Sequence, residues 1–171
     1  MTAVHDSDSL LALLKARAIP FSFAEHAAVF TTSEAADLPQ PLAGAACKNL
    51  FLRDKKKTAY FLLVAPASKR TDLVALSDAL GRGRLTFASA QDMARCLGVT
   101  PGSVTPLAVL NDTACEVSLM IDAELLASSH IVVHPLINTA SLSLSVDDLL
   151  TLTADHGHPA RVIELAGVSH D

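Results

Sequence analysis

The sequence predicts one α+β domain built on a mixed sheet, and three observations carry that reading. The stretch 46–65, ACKNLFLRDKKKTAYFLLVA, has apolar, β-branched and aromatic residues in both halves around a basic middle, Arg53-Asp54-Lys55-Lys56-Lys57. A helix would put Lys and Phe on one face, so two strands joined by a charged turn fit better. Strand and helix patterns then interleave irregularly along the chain, unlike a regular βαβ series. At 171 residues the chain suits a single domain with a substantial core, read here as 1–171 without internal repeat or linker.

Each element has a local reason. Leu10, Leu11 and Leu14 stand at helical spacing behind Ser7 or Asp8 as N-cap, with Pro20 ending the helix. Phe21-Ser22-Phe23 alternates as a short strand running to Glu25-His26. Thr31 to Glu34 opens a short helix that Pro39 and Pro41 close. In the central hairpin Lys48-Asn49 sits between Cys47 and Leu50, so Lys48 either snorkels to water or lines a cleft. Tyr60 to Val64 has almost no polar alternation, as expected of a central strand covered on both faces. Thr71-Asp72 caps a helix through Leu73, Leu76 and Leu80, stopped by Gly81. Arg84 to Phe87 is a strand, and Ser89 starts a helix that Gly98 ends. A loop of two prolines around a glycine, residues 99–106, follows. Strands are expected over Glu116 to Ile121, Ile131 to Val133 and Leu142 to Leu144, then a helix over Asp147 to Ala154 capped by Ser145, and a last strand from Arg161 to Leu165.

Composition narrows the functions. Half the residues are hydrophobic, yet no apolar run approaches the roughly 18 residues of a membrane span. Asp6 and Asp8 near the start argue against a signal peptide. Cys47, Cys96 and Cys115 are scattered without metal-ligand spacing, which suits small buried hydrophobes in a reducing, cytoplasmic setting. Net charge is −5, against a general coat for polyanions. The basic residues are nonetheless clustered at Arg53 with Lys55 to Lys57, at Lys69-Arg70, and at Arg82 and Arg84. Solvated turns or a local nucleic-acid rim both explain such clusters.

Strong catalytic signatures are missing: there is no G-x-x-x-x-G-K-[ST], G-x-S-x-G or C-x-x-C. His156-Gly157-His158 reads as a helix-ending turn rather than a chelate. Cys47 is taken as core, because adjacent strand residues face opposite ways and Lys48 cannot activate it. The loop Gly102-Ser103-Val104-Thr105-Pro106 is stiff and rich in backbone N–H groups, suited to an anion or carbonyl or to plain connection.

The order EHAAVFTTSEA, CKNLFLRDKKKTAYFLLV, GSVTP, HPLINTASLSLS resembles the YbaK/ProX-type aminoacyl-tRNA editing domains. Within that family it is most similar to free-standing prolyl-tRNA deacylases of the PrdX or ProXp-ala kind, relatives of the prolyl-tRNA synthetase insertion domain. The resemblance runs from about His26 to the last strand; Ala27 stands where members often have Pro. It implies a mixed, partly barrel-like sheet with helices round it. It also implies hydrolysis of the ester between a wrong amino acid and tRNA, alanine on proline-specific tRNA in the nearest relatives and cysteine in another branch. Lys48, Gly102 and His134 become the implied catalytic group, His134 either working in the pocket or supporting it as a core histidine. Asn49, Ser103, Val104, Thr105, Pro106 and Asn138 become substrate-binding, and Lys55, Lys56, Lys57, Arg82 and Arg84 tRNA-binding. Neither metal nor other cofactor is required. The implied partner is mischarged tRNA, with prolyl-tRNA synthetase or elongation factor met in passing and no membrane. A non-enzymatic nucleic-acid-binding module is the competing reading.

Overall fold

The computed structural model describes residues 4–28 and 42–165. The helix expected from Thr31 to Glu34 lies outside them. The described elements are α1 (Ser7–Ala16), β1 (Phe21–Glu25), β2 (Ala45–Asp54), β3 (Tyr60–Pro66), α2 (Leu73–Ala79), β4 (Leu85–Phe87), α3 (Ala90–Leu97), β5 (Val117–Asp122), β6 (His130–Val133), β7 (Ala140–Ser145), α4 (Val146–Asp155) and β8 (Arg161–Ile163). Two 3₁₀ segments, Pro106–Asn111 and Ala123–Ala127, complete them.

The eight strands form one mixed sheet in the order β1-β7-β6-β2-β3-β5-β8, with β4 added to β2. The pairs β2·β6, β3·β5 and β5·β8 are parallel; β1·β7, β6·β7, β2·β3 and β2·β4 are antiparallel. Helices surround this mixed sheet as expected, and among the described residues no pairing joins β1 to β8, so it does not close into a barrel.

The hairpin of β2 and β3 is the spine. Its register runs from Cys47↔Pro66 to Arg53↔Tyr60. Every residue of β3 is buried, matching a run without polar alternation. The turn is tighter than the charged stretch suggested. Asp54 stays in the strand because its carboxylate accepts from the Thr58 hydroxyl at 2.6 Å and the Thr58 N–H at 2.7 Å.

Alternation along β2 divides its side chains between two cores. Phe51 packs in the larger one with Leu10 and Leu14 of α1, Leu149 and Leu152 of α4, and Leu107 to Leu110. Leu52 packs in the smaller one with Leu76 of α2, Leu85 of β4, and Phe61 and Leu63 of β3. Burial on this scale, about 25 cal/mol per Å² of apolar surface, is what orders the sheet.

Helix ends follow capping chemistry. Ser89 and Asp92 form a capping box on α3, and Gly98 closes it at φ 64°, the left-handed region that favours glycine. The cap of α1 is Asp6, not Ser7 or Asp8: its carboxylate accepts the Ser9 N–H at 2.8 Å, and the Ser9 hydroxyl accepts the Asp6 N–H. Both 3₁₀ segments escaped the sequence reading, because apolar runs such as Pro106–Asn111 have no amphipathic period. No helix among the described residues is long and apolar enough to cross a membrane.

Candidate active site

The site grows out of a break in pairing along one edge of β2. Ala45 and Ala46 pair with Ile131 and Val132 of β6, whereas Leu52 to Asp54 pair with β4. Over residues 47–50 that edge carries no strand among the described residues. Side chains alternate, so Lys48 lies on the face of Ala46 and Val132. His134 falls there too: it and Lys48 each stand two residues beyond the last parallel pair, Ala46↔Val132.

Lys48 is half-buried opposite Ala65, and desolvation lowers its pKa below the ordinary lysine value. Among the described residues no carboxylate pairs with it, unlike Lys69, which reaches Asp122 at 2.9 Å and Glu124 at 3.2 Å. A half-desolvated ammonium without a counter-ion is a site for an anion or a carbonyl oxygen.

Asn49 faces the other way. Its Nδ2–H donates to the Val104 carbonyl at 3.3 Å, and its Oδ1 is buried without a partner among the described residues. The carbonyl fixes which amide atom faces it. The contact ties β2 to the Gly102 to Pro106 loop. In that loop Ser103, Thr105 and Pro106 are buried, and Thr105 Oγ1 accepts the Leu107 N–H to cap the 3₁₀ segment. Gly102 has φ 88°. Gly102→Val is therefore expected to cost at least about 1–2 kcal/mol of backbone strain and far more activity than Ser103→Ala. Equal kcat/KM for the two folded variants would make the loop a plain connector.

His134 leads the loop between β6 and β7. Its Nδ1–H donates to the Ala140 carbonyl at 2.9 Å, which leaves Nε2 with its lone pair. Burial first, and the nearby His26 ring after it, hold its pKa below the usual histidine value, against the opposing Ala140 hydrogen bond. The two rings lie 6.2 Å apart between centroids. His26 Nδ1–H donates to the Ala27 carbonyl at 2.7 Å, so its Nε2 accepts from the buried Ser141 hydroxyl at 2.9 Å. Leu136, at φ 68°, holds a strained left-handed turn beside His134; Asn138 of the same loop is half-buried.

His26 and Ser141 were missed as site residues. The signal for His26 was its place in the Glu25-His26 element; Ser141 had none, being one serine in an alternating strand. Cys47 is no nucleophile: burial pushes its thiol up to about 12, and Sγ–H donates to the Val132 carbonyl at 3.3 Å. In the tail, His158 turns its ring nitrogens to the Val117 and Asp112 carbonyls, and His156 Nδ1 faces the Leu152 carbonyl.

The basic residues gather elsewhere. Lys55, Lys56, Lys57, Arg82 and Arg84 are exposed at the turn end of the hairpin, where Asp54 pairs with Leu85 and Arg82 acts on the Asp54 carboxylate. Five strand rises, roughly 17 Å, separate Arg53 from Lys48. Arg53 itself is spent on Asp92 at 3.4 Å.

Comparisons with known proteins place the whole chain. Residues 26–152 match the family model of the aminoacyl-tRNA editing domain. The chain is 35% identical over 157 residues to the prolyl-tRNA editing protein ProX of Acetoanaerobium sticklandii, covering 92% of this chain and 96% of that one. It is 38% identical over 149 residues to the prolyl-tRNA synthetase associated domain-containing protein 1 of Bos taurus, covering 85% and 86%. Its fold is shared by a structure solved as a "putative trans-editing enzyme for prolyl tRNA synthetase", with TM-score 0.70 at 22% identity over 95% of this chain and 98% of that one. A half-desolvated lysine, a neutral histidine and an amide-braced loop at one break in the sheet thus sit in a chain that belongs to the aminoacyl-tRNA editing domain family and is an aminoacyl-tRNA deacylase.

Proposed function

We propose that this deacylase edits in trans, hydrolysing alanine from mischarged proline-specific tRNA. The observation that carries it is the placing of Lys48 and His134 on one face where β2 parts from β6. The choice of alanine is supported by the likeness of the Lys48 stretch to the alanine-removing branch, and the choice of proline-specific tRNA by a 35% identical relative named as a prolyl-tRNA editing protein. A synthetase pocket separates amino acids differing by a methylene by only about 1–3 kcal/mol, so a second, smaller site supplies the missing discrimination.

In this reading each group has a role. Lys48 holds the terminal phosphate or the ester carbonyl oxygen as charge develops, and the Gly102 to Pro106 loop bounds the pocket from beyond β2. Asn49, on the opposite face of β2, fixes the Gly102 to Pro106 loop through the Val104 carbonyl. His134 Nε2 takes a proton from water as the water oxygen attacks the ester carbon, and returns it to the ribose oxygen as the ester bond breaks. Products are the free amino acid and tRNA with its terminal hydroxyl restored. Lys55 to Lys57, Arg82 and Arg84 bind phosphates further along the acceptor.

Incubating the protein with alanyl-, cysteinyl- and prolyl-charged proline tRNA tests the reading. Rapid loss of the alanyl ester with the prolyl ester spared is expected; preference for cysteinyl-tRNA would transfer the protein to the other branch. The pH profile tests His134. Because its pKa is lowered, kcat/KM should stay level through neutral pH and fall only below the ordinary value of about 6.5. His134→Gln should flatten that acid limb. The same shift makes His134 a source of stability present above its unfolded pKa and lost as pH falls toward its folded one.

A further inference from the structure

Phe87 is 60% exposed, on the short edge strand β4. Edge strands are ordinarily guarded by charge or proline, and a bare aromatic there invites association unless something uses it. Its position is specific. Phe87 pairs with Leu52, and paired residues share a face, so Phe87 stands on the same face of the sheet as Lys48, four residues back along β2. The separation is about 14 Å, four strand rises and one inter-strand step. On its other side lies the basic turn: Arg84 precedes β4, and Leu85 faces Asp54 beside Lys55 to Lys57. These four cations are exposed, and among the described residues no carboxylate pairs with them, whereas Arg17, Arg53, Lys69 and Arg95 are each engaged by a carboxylate.

We propose that Phe87 is a stacking platform for a base near the 3′ end of the bound tRNA. Resting on the editing reading, the terminal adenosine sits at Lys48, a base upstream lies on the Phe87 ring, and Arg84 with Lys55 to Lys57 holds the phosphates beyond it. The chemistry matches single-strand recognition, in which aromatic faces take bases of any identity and cations track the backbone. The distance fits too: a stacked strand rises roughly 3.4 Å per nucleotide, so about 14 Å is a few nucleotides. An accidental exposed phenylalanine has no reason to lie on this line between the lysine and the free cations.

Two measurements decide it. The first compares Phe87→Ala and Phe87→Tyr on alanyl-tRNA and on alanyl-adenosine, which has no upstream base. Phe87→Ala should raise KM for alanyl-tRNA about tenfold, within the range for loss of one base stack, while kcat at saturation and kcat/KM on alanyl-adenosine hold. Phe87→Tyr should restore the wild-type KM. Unchanged KM for the alanine variant, or an equal loss on both substrates, would overturn the proposal. The second needs no hydrolysis: uncharged tRNA carrying 2-aminopurine in turn at each nucleotide next to the 3′ end. Wild type should change the fluorescence at one position and Phe87→Ala should abolish that change; identical signals from both overturn the stack. If wild type deacylates no charged tRNA, the editing reading fails, and the fluorescence alone still decides the role of Phe87.

Discussion

Lys48→Ala is expected to abolish deacylation in a protein that folds normally. The ammonium is the cation on the site face nearest the seam, and the basic turn is too distant to replace it. Losing a hydrogen bond to a charged group, about 1.5–3 kcal/mol, corresponds to roughly a tenfold to hundredfold fall in kcat/KM. Loss of orientation of the ester adds to that. Stability should move the other way. Desolvation lowers the pKa of Lys48, so at neutral pH, where it is protonated, the folded state carries a penalty that an apolar side chain removes. Lys48→Met should therefore melt at or above the wild-type temperature while inactive. A folded Lys48→Met that turns over alanyl-tRNA at the wild-type rate would remove Lys48 from the mechanism.

Asn49→Asp carries the second large effect, and by a different route. The substitution keeps shape but deletes the side-chain donor to the Val104 carbonyl and sets a carboxylate oxygen against it. A buried acceptor left without a donor costs about 1–3 kcal/mol, more when charged. The Gly102 to Pro106 loop then loses its tie to β2. We expect a lower melting temperature together with at least a tenfold loss of kcat/KM. Asn49→Gln, which keeps the donor at the wrong reach, should be intermediate. Activity retained in Asn49→Asp despite a lowered melting temperature would mean that the loop finds its position without the amide.

Much of this architecture was legible because local chemistry and tertiary need coincide. The hairpin was readable since Tyr60 to Val64 is apolar throughout and the cations of the turn can only face water. Ser89 and Gly98 bounded α3 because a capping box and a left-handed glycine leave little choice. Lys48, Asn49 and His134 were singled out by motif likeness; the physics of their surroundings was not visible. The orphaned Asn49 Oδ1, the fixed tautomer of His134 and the His26–Ser141 contact all depend on partners far along the chain, 115 residues apart in the last case. Asp6 displaced Ser7 as the cap of α1 because the partner, Ser9, lay at the reciprocal spacing. Phe87 was read as one more strand residue, since exposure at an edge is a property of the assembled sheet.

The seam beside the site has a mechanical meaning. Among the described residues only two backbone pairs, Ala45↔Ile131 and Ala46↔Val132, join the ladder β1-β7-β6 to the rest of the sheet, whereas β2 and β3 share seven. The larger core packs across this joint, but its backbone pairing is the thinnest in the sheet, so the hydrogen bonds there should open most readily. Amide protons at Ala46 and Val132 should accordingly exchange with solvent faster than those at Leu62 and Leu63. A substrate spanning Lys48 and His134 would pin the two halves together and slow that exchange, so affinity for tRNA would be partly a property of how freely the joint opens.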